Sequence, residues 1–180
     1  MIPRQLFLTK GTGVHKEKLI SLELALRDAG IAQFNLVKVT SIFPPGCTIT
    51  TKEKGLEHLS PGEIVFCVLS ENSTNEPKRL IAASIGLAMP EDKSKYGYLL
   101  EHQSFDEKTE GAGDYAELLA TEMMATTFAE ESGGNADWDE HKDRRDGIAE
   151  TMNVTQIATS AGNGLWTTVV AVAVFIPEGD

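Results

Sequence analysis

Ser41 and Thr40 end an apolar run, Val39-Thr40-Ser41-Ile42, immediately before the rigid stretch Phe43-Pro44-Pro45-Gly46-Cys47. A hydroxyl pair in that place suits an ordinary strand end. It also suits a chain that cuts itself. A serine hydroxyl can attack the carbonyl of the residue before it, here Thr40, and turn the peptide into an ester. Elimination across the serine Cα–Cβ bond then breaks the chain and leaves dehydroalanine, which hydrolyses to a pyruvoyl group and ammonia. Serine and cysteine offer both a nucleophile and a β leaving group whose elimination leaves dehydroalanine, whereas Thr40 need supply only its carbonyl. A tight site would hold the hydroxyl against that carbonyl, and Pro44-Pro45 limits the chain's escape. Spacing alone leaves both readings open.

Other constellations carry less. Lys10-Gly11-Thr12-Gly13-Val14-His15-Lys16 looks like a phosphate loop. It lacks the second half of a Walker sequence and the third glycine of a dinucleotide fingerprint. It reads better as a strand-to-helix turn in which Thr9 or Thr12 caps the next helix. His15, His58, His102 and His141 make no HExxH or paired pattern. Asp137, Asp139, Glu140, His141, Asp143 and Asp146 could surround a metal, but interleaved Lys142, Arg144 and Arg145 favour a solvated, self-neutralising helix face. No metal is expected. A Gly-x-Ser-x-Gly elbow is absent and Ser41 has no histidine nearby in sequence, so hydrolase chemistry has no positive support.

The elements that must position Ser41 alternate irregularly between strand and helix. Ile2 to Thr9 reads as a strand ended by Lys10-Gly11-Thr12-Gly13, and Lys16 to Ala29 as a helix closed by Gly30. Phe34 to Ile42 is strand-like, and Pro44-Pro45-Gly46 forbids continued ladder pairing. Glu63 to Ser70 reads as a buried strand, Glu76 to Leu87 as a helix, Met89 to Ser94 as a loop, and Tyr96 to Glu101 as another strand. Asp114 to Glu131 is an amphipathic helix, followed by a charge-mixed stretch from Ser132 to Arg145. Asn153 to Ile176 holds two strands broken at Ala161-Gly162-Asn163-Gly164, a hairpin-type turn. This order predicts an α+β fold, helices layered on antiparallel or mixed sheet, rather than a doubly wound parallel sheet.

At 180 residues the chain suits one domain, 1–180, with a sizeable core. A net charge of −11 argues against nucleic acid and anionic membranes as partners and is compatible with a cationic substrate. Cys47 and Cys67 have no metal-ligand spacing and read as reduced thiols. The N-terminus lacks the apolar core of a signal peptide, and the longest apolar run, Val169 to Ile176, is too short to cross a bilayer. A cytoplasmic protein is expected.

Several ordered blocks together resemble the pyruvoyl-dependent arginine decarboxylase family. They are Leu22-Glu23-Leu24-Ala25-Leu26, Ala29-Gly30-Ile31, Asn35-Leu36-Val37, Thr40-Ser41-Ile42 and Pro44-Pro45, then Ala82-Ala83-Ser84-Ile85-Gly86, Met89-Pro90-Glu91-Asp92-Lys93 and Gly97-Tyr98-Leu99-Leu100-Glu101. The resemblance is close over about 5–105 and looser over 153–176. It implies cleavage between Thr40 and Ser41 into a β chain, 1–40, and an α chain, 41–180, with Ser41 becoming the pyruvoyl cofactor. Asn35 matches a residue implicated in the active site and in processing, Glu101 the catalytic acid, and Glu23 an acidic contact for the substrate guanidinium. The implied fold is a four-layer αββα sandwich assembled as an (αβ)₃ homotrimer, with active sites between neighbouring protomers.

The implied reaction is L-arginine to agmatine and carbon dioxide, without pyridoxal phosphate. The substrate amine would form a Schiff base with the Ser41-derived ketone, which accepts the electrons released with carbon dioxide. Ile42 would contribute to an apolar wall around the substrate. Glu101 would protonate the carbanion and so must be kept protonated by burial, while Glu23 must stay ionised. Two alternatives remain: a pyruvoyl decarboxylase of ornithine or lysine, and an unprocessed trimeric paralogue that binds a small cation. Two departures from the family are Thr40, where serine is often found, and an acidic stretch between Ser104 and Gly147 longer than the smallest members carry.

Overall fold

A computed structural model describes residues 2–106, 109–131 and 146–177. The elements run β1 (Gln5–His15), α1 (Lys18–Ala29), β2 (Asn35–Lys38), β3 (Ile42–Phe43), β4 (Thr48–Thr50), α2 (Lys52–Leu56), β5 (Ile64–Thr74), β6 (Leu80–Pro90), β7 (Gly97–Phe105), α3 (Thr109–Glu131), β8 (Ile148–Thr159) and β9 (Trp166–Ile176). The strands form two sheets. One is five-stranded and mixed, in the order β2-β5-β9-β1-β4, with β1–β4 and β2–β5 parallel. The other is antiparallel, in the order β3-β7-β6-β8. The fold is α+β.

Period-two burial explains this arrangement. Along β9, Val169, Ala171, Ala173 and Phe175 enter the core between the sheets, while Val170, Val172, Val174 and Ile176 enter a second core beneath α1. Both faces are covered, so the segment reads as a continuous apolar run. The helix α1 packs on β1 and β9, and α3 packs on β6, β7 and β8. Each fully buried Val, Leu or Ile contributes about 1.5–3 kcal/mol, so these two central ladders carry much of the fold's stability.

Four sequence expectations are corrected. Lys10-Gly11-Thr12-Gly13 is no turn, because β1 continues through it to His15. Neither Thr9 nor Thr12 caps the next helix: the N-cap of α1 is Glu17, without a side-chain cap, and the Thr9 hydroxyl donates to the Ala29 carbonyl at the helix's other end. The glycines of the stretch are required by the helix above: a Cβ at Gly11 would lie 2.2 Å from the Ala25 carbonyl oxygen, and one at Gly13 2.1 Å from that of Ser21. Residues 76–87 form no helix, since β6 occupies Leu80–Pro90 and absorbs Met89 and Pro90 from the expected loop as well. Its large residues Ile81, Ile85 and Leu87 face the other sheet and its small ones alternate toward α3, a pattern that mimics helical spacing. The expected strand from Phe34 to Ile42 is divided into β2 and β3, which belong to different sheets. Finally, Ala161-Gly162-Asn163-Gly164 joins no hairpin: β8 pairs with β6, and β9 with β1 and β5, so the turn carries the chain between sheets. The elements β4 and α2 had no sequence signal strong enough to mark them.

The remaining expectations for local structure agree with the observed elements. Gly30 closes α1 in the left-handed conformation at φ 79°, its N–H bonded to the carbonyls of the last turn. The charge-mixed stretch from Ser132 to Arg145, with the imagined metal ligands Asp137 to Asp143, lies outside the described residues.

Candidate active site

The site is built where the chain leaves one sheet for the other. Strand β2 is the edge of the five-stranded sheet and β3 the edge of the four-stranded one, and Val39-Thr40-Ser41 spans the gap. The strands these edges pair with, β5 and β7, are in contact across the core. On the β2 side the Val39 N–H donates to the Cys67 carbonyl at 2.9 Å. On the β3 side the Leu99 N–H donates to the Ser41 carbonyl at 2.8 Å, and Ile42 stands opposite Tyr98. Between these anchors the Ile42 N–H donates to the Thr40 carbonyl at 3.1 Å, closing a tight turn on Ser41. Thr40 and Ile42 are exposed, and Ser41 is half-buried.

Glu101 lies on the same edge. It follows Tyr98 and Leu99 on β7 and stands opposite Ile85 of β6. Alternation along β7 aims Leu99 into the inter-sheet core and puts Glu101 and Gln103 on that face, where Gln103 donates to Ser70 Oγ of β5 at 3.3 Å. As a residue Glu101 is exposed, yet the surrounding protein still desolvates its carboxyl and pushes its pKa up, with the Lys38 ammonium opposing. Lys38 ends β2 and is held by Glu71 at 3.6 Å. Cys67, opposite Lys38 in the ladder, is pushed up to about 11, chiefly by burial. Glu101 and Lys38 are both within electrostatic reach of this thiol.

Two of the sequence candidates stand apart from this cluster. Asn35 begins β2, at the end away from Ser41, and its side-chain amide donates to the Gly62 carbonyl at 2.6 Å. Glu23 is on α1, where its carboxylate accepts from Arg27 Nε at 2.9 Å. It lines an open cleft of about 350 Å³ with Arg27, Gly30, Ala32 and Gln33, on a helix that packs on β1 and β9. Within one chain, then, Thr40, Ser41, Ile42 and Glu101 come together, and Asn35 and Glu23 do not join them. Sequence reasoning missed Lys38 and the backbone N–H groups of Ile42 and Leu99. A lone cation inside Leu36-Val37-Lys38-Val39 was the available signal for the first; backbone donors leave none.

A serine in a turn that presents its preceding carbonyl, with a half-desolvated carboxyl on the adjoining strand, fits the resemblance found in the sequence. The sequence model of the pyruvoyl-dependent arginine decarboxylases matches residues 5–180. The chain belongs to that family. Members similar to it include a probable pyruvoyl-dependent arginine decarboxylase of Chloroherpeton thalassium, 53% identical over 98% of each chain. A pyruvoyl-dependent arginine decarboxylase of Methanococcoides burtonii is 52% identical over 98% of this chain and 99% of its own. One described as probable, from Chlorobaculum tepidum, is 51% identical over 98% of each. The family match thus extends through 106–152, beyond the two regions in which the resemblance was legible.

Among the described residues no three His, Cys, Asp or Glu side chains are grouped to hold a metal ion. No described helix is long and apolar enough to cross a membrane.

Proposed function

We propose that this chain decarboxylates L-arginine to agmatine and carbon dioxide, after cutting itself between Thr40 and Ser41 into chains 1–40 and 41–180. The observation that carries the reading is the Thr40-Ser41 turn strung between two sheet edges beside Glu101, in a chain matched to the family over residues 5–180. Ser41 fits the cofactor its family is named for. It has the hydroxyl needed for cleavage, and its carbonyl, which stays in the chain afterwards, is already fixed by the Leu99 N–H. Such a group supplies an electrophilic carbonyl for the substrate amine and a sink for the electrons released with carbon dioxide.

The chain's own residues do the rest. Glu101 delivers a proton to the substrate carbon that has lost carbon dioxide, and desolvation helps to keep that proton in place. Ile42 offers an apolar wall beside the reacting carbon. Glu23 holds the guanidinium through charge-assisted hydrogen bonds. Because Glu23 lies on α1, away from the Ser41 edge, a neighbouring copy must bring it there. A homotrimer of αββα sandwiches with sites between protomers meets that requirement. Val37, Val39, Ile42, Ile64 and Phe66 support it: these apolar residues lie exposed around the same edge, with Ile64 at 63%.

The test is the intact mass of the purified, denatured protein. Two chains are expected, the larger lighter by one ammonia than a serine-ended 41–180 fragment. A single uncut chain without arginine turnover would leave the cation-binding paralogue as the better account. A higher kcat/KM for ornithine or lysine than for arginine would overturn the substrate.

A further inference from the structure

We infer that the backbone N–H of Ile42 is the oxyanion donor for self-cleavage at Thr40–Ser41. The inference rests on the reading of that bond as the one cut. The Ile42 N–H already bonds the Thr40 carbonyl oxygen at 3.1 Å, a contact from residue i+2 back to residue i. Ser41, at the centre of this turn, is not among the described residues with positive φ, so the turn is the inverse γ kind that occurs at strand ends without strain. The oxygen so held is the one that becomes negative when Ser41 Oγ adds to the Thr40 carbonyl carbon.

In that step the Oγ–C bond forms and the Oγ proton passes to the Ser41 nitrogen. The C–N bond then breaks, leaving Thr40 as an ester on Ser41 Oγ and a free amine. Loss of the Ser41 Cα proton with cleavage of the Cβ–O bond gives the Thr40 carboxylate and dehydroalanine. Water then replaces the nitrogen, which departs as ammonia. Negative charge first develops on the Thr40 carbonyl oxygen in the addition step, and a pre-aimed donor acts at that moment without reorganising.

The surroundings hold the donor in place. The Val39 N–H is fixed to Cys67 in one sheet and the Ser41 carbonyl to the Leu99 N–H in the other, so the turn is tied down on both sides. The rival donor, the Asn35 amide, is bonded to Gly62 at the far end of β2 and does not face this carbonyl within the chain.

The experiment replaces Ile42 by its α-hydroxy acid analogue during cell-free translation of the full chain. This exchanges one N–H for oxygen and keeps the side chain. Appearance of the 1–40 and 41–180 fragments is followed by intact mass. Cleavage slowed about 10²–10³-fold is expected, the effect of one lost oxyanion donor. The same exchange at Leu99 removes an anchor but not the donor, and should slow cleavage far less. Native-rate cleavage of the Ile42 analogue would overturn the inference. Equal slowing by both analogues would also overturn it, by assigning the effect to anchoring. If the unaltered chain is cut elsewhere or not at all, the reading on which the inference rests falls with it.

Discussion

In the proposed reaction Glu101 carries a proton to the substrate, and its surroundings pull that proton in two directions. Desolvation favours the neutral carboxyl and the Lys38 ammonium favours the carboxylate. A general acid works in its protonated form, so turnover should fall as pH rises through the carboxyl's pKa. Replacing Lys38 by Met removes the opposing charge, so the alkaline limb of the kcat profile should move to higher pH. A limb that stays in place or moves down would show that Lys38 does not act on Glu101. Removing the proton altogether is more severe. Glu101→Gln should still be cut at Thr40–Ser41 but lose about 10²–10⁴-fold in turnover, whereas Ser41→Ala should neither cut nor turn over. Intact mass and carbon dioxide release read the two functions separately, and a fully active Ser41→Ala protein would sink the mechanism.

Elements matter here through how closely they approach one another. Ala112, Ala116 and Ala120 give α3 a small, buried face, and Gly86 of β6 lies directly beneath Ala116. A Cβ at Gly86 would come within 2.0 Å of the Ala116 carbonyl, which belongs to the backbone and cannot swing aside. Gly86→Ala should therefore destabilise the protein by about 3 kcal/mol or more, since α3 must lift off the sheet that carries Glu101. The midpoint of urea unfolding measures it, and a shift near zero would mean that the helix yields freely. The same small residues explain why β6 was misread from sequence. Alternating large and small side chains along a doubly covered strand leave no polar face, and without one the period is hard to tell from a helix. Strand β9 escaped that error because its run of valines favours strand on both faces.

At the scale of the whole molecule, Ser41 and Glu23 are carried on different parts of one chain, and the proposed trimer would bring them together between copies. Co-expression of Ser41→Ala with Glu23→Gln tests this. Mixed trimers would contain sites that take Ser41 from one variant and Glu23 from the other, so activity well above either variant alone is expected. Activity no greater than the sum of the two would place each site within one protomer. The exposed apolar edge makes a second demand. Phe66→Glu should dissociate the assembly, read by sedimentation, and reduce arginine turnover with it; an unchanged sedimentation coefficient would remove this edge from the interface.

The sequence by itself determined the candidate residues for the proposed chemistry. Ser41 and Thr40 before Pro44-Pro45, with Glu101 at the end of Gly97-Tyr98-Leu99-Leu100, carry chemistry that depends on residue type, which a sequence states directly. It also determined α1 with its Gly30 cap, and the doubly buried run of β9, because capping and hydrophobic runs are local. Only the tertiary structure decided which sheet each strand joined. Pairing is a contact between distant segments, and neither the Thr40-Ser41 stretch nor the Gly162-Asn163-Gly164 turn reveals locally that the chain crosses between sheets there. The tertiary structure alone likewise set Lys38 near Glu101 and aimed the Ile42 N–H at the Thr40 carbonyl. An electrostatic neighbour and a backbone donor are matters of position, and every residue but proline has the same N–H to offer.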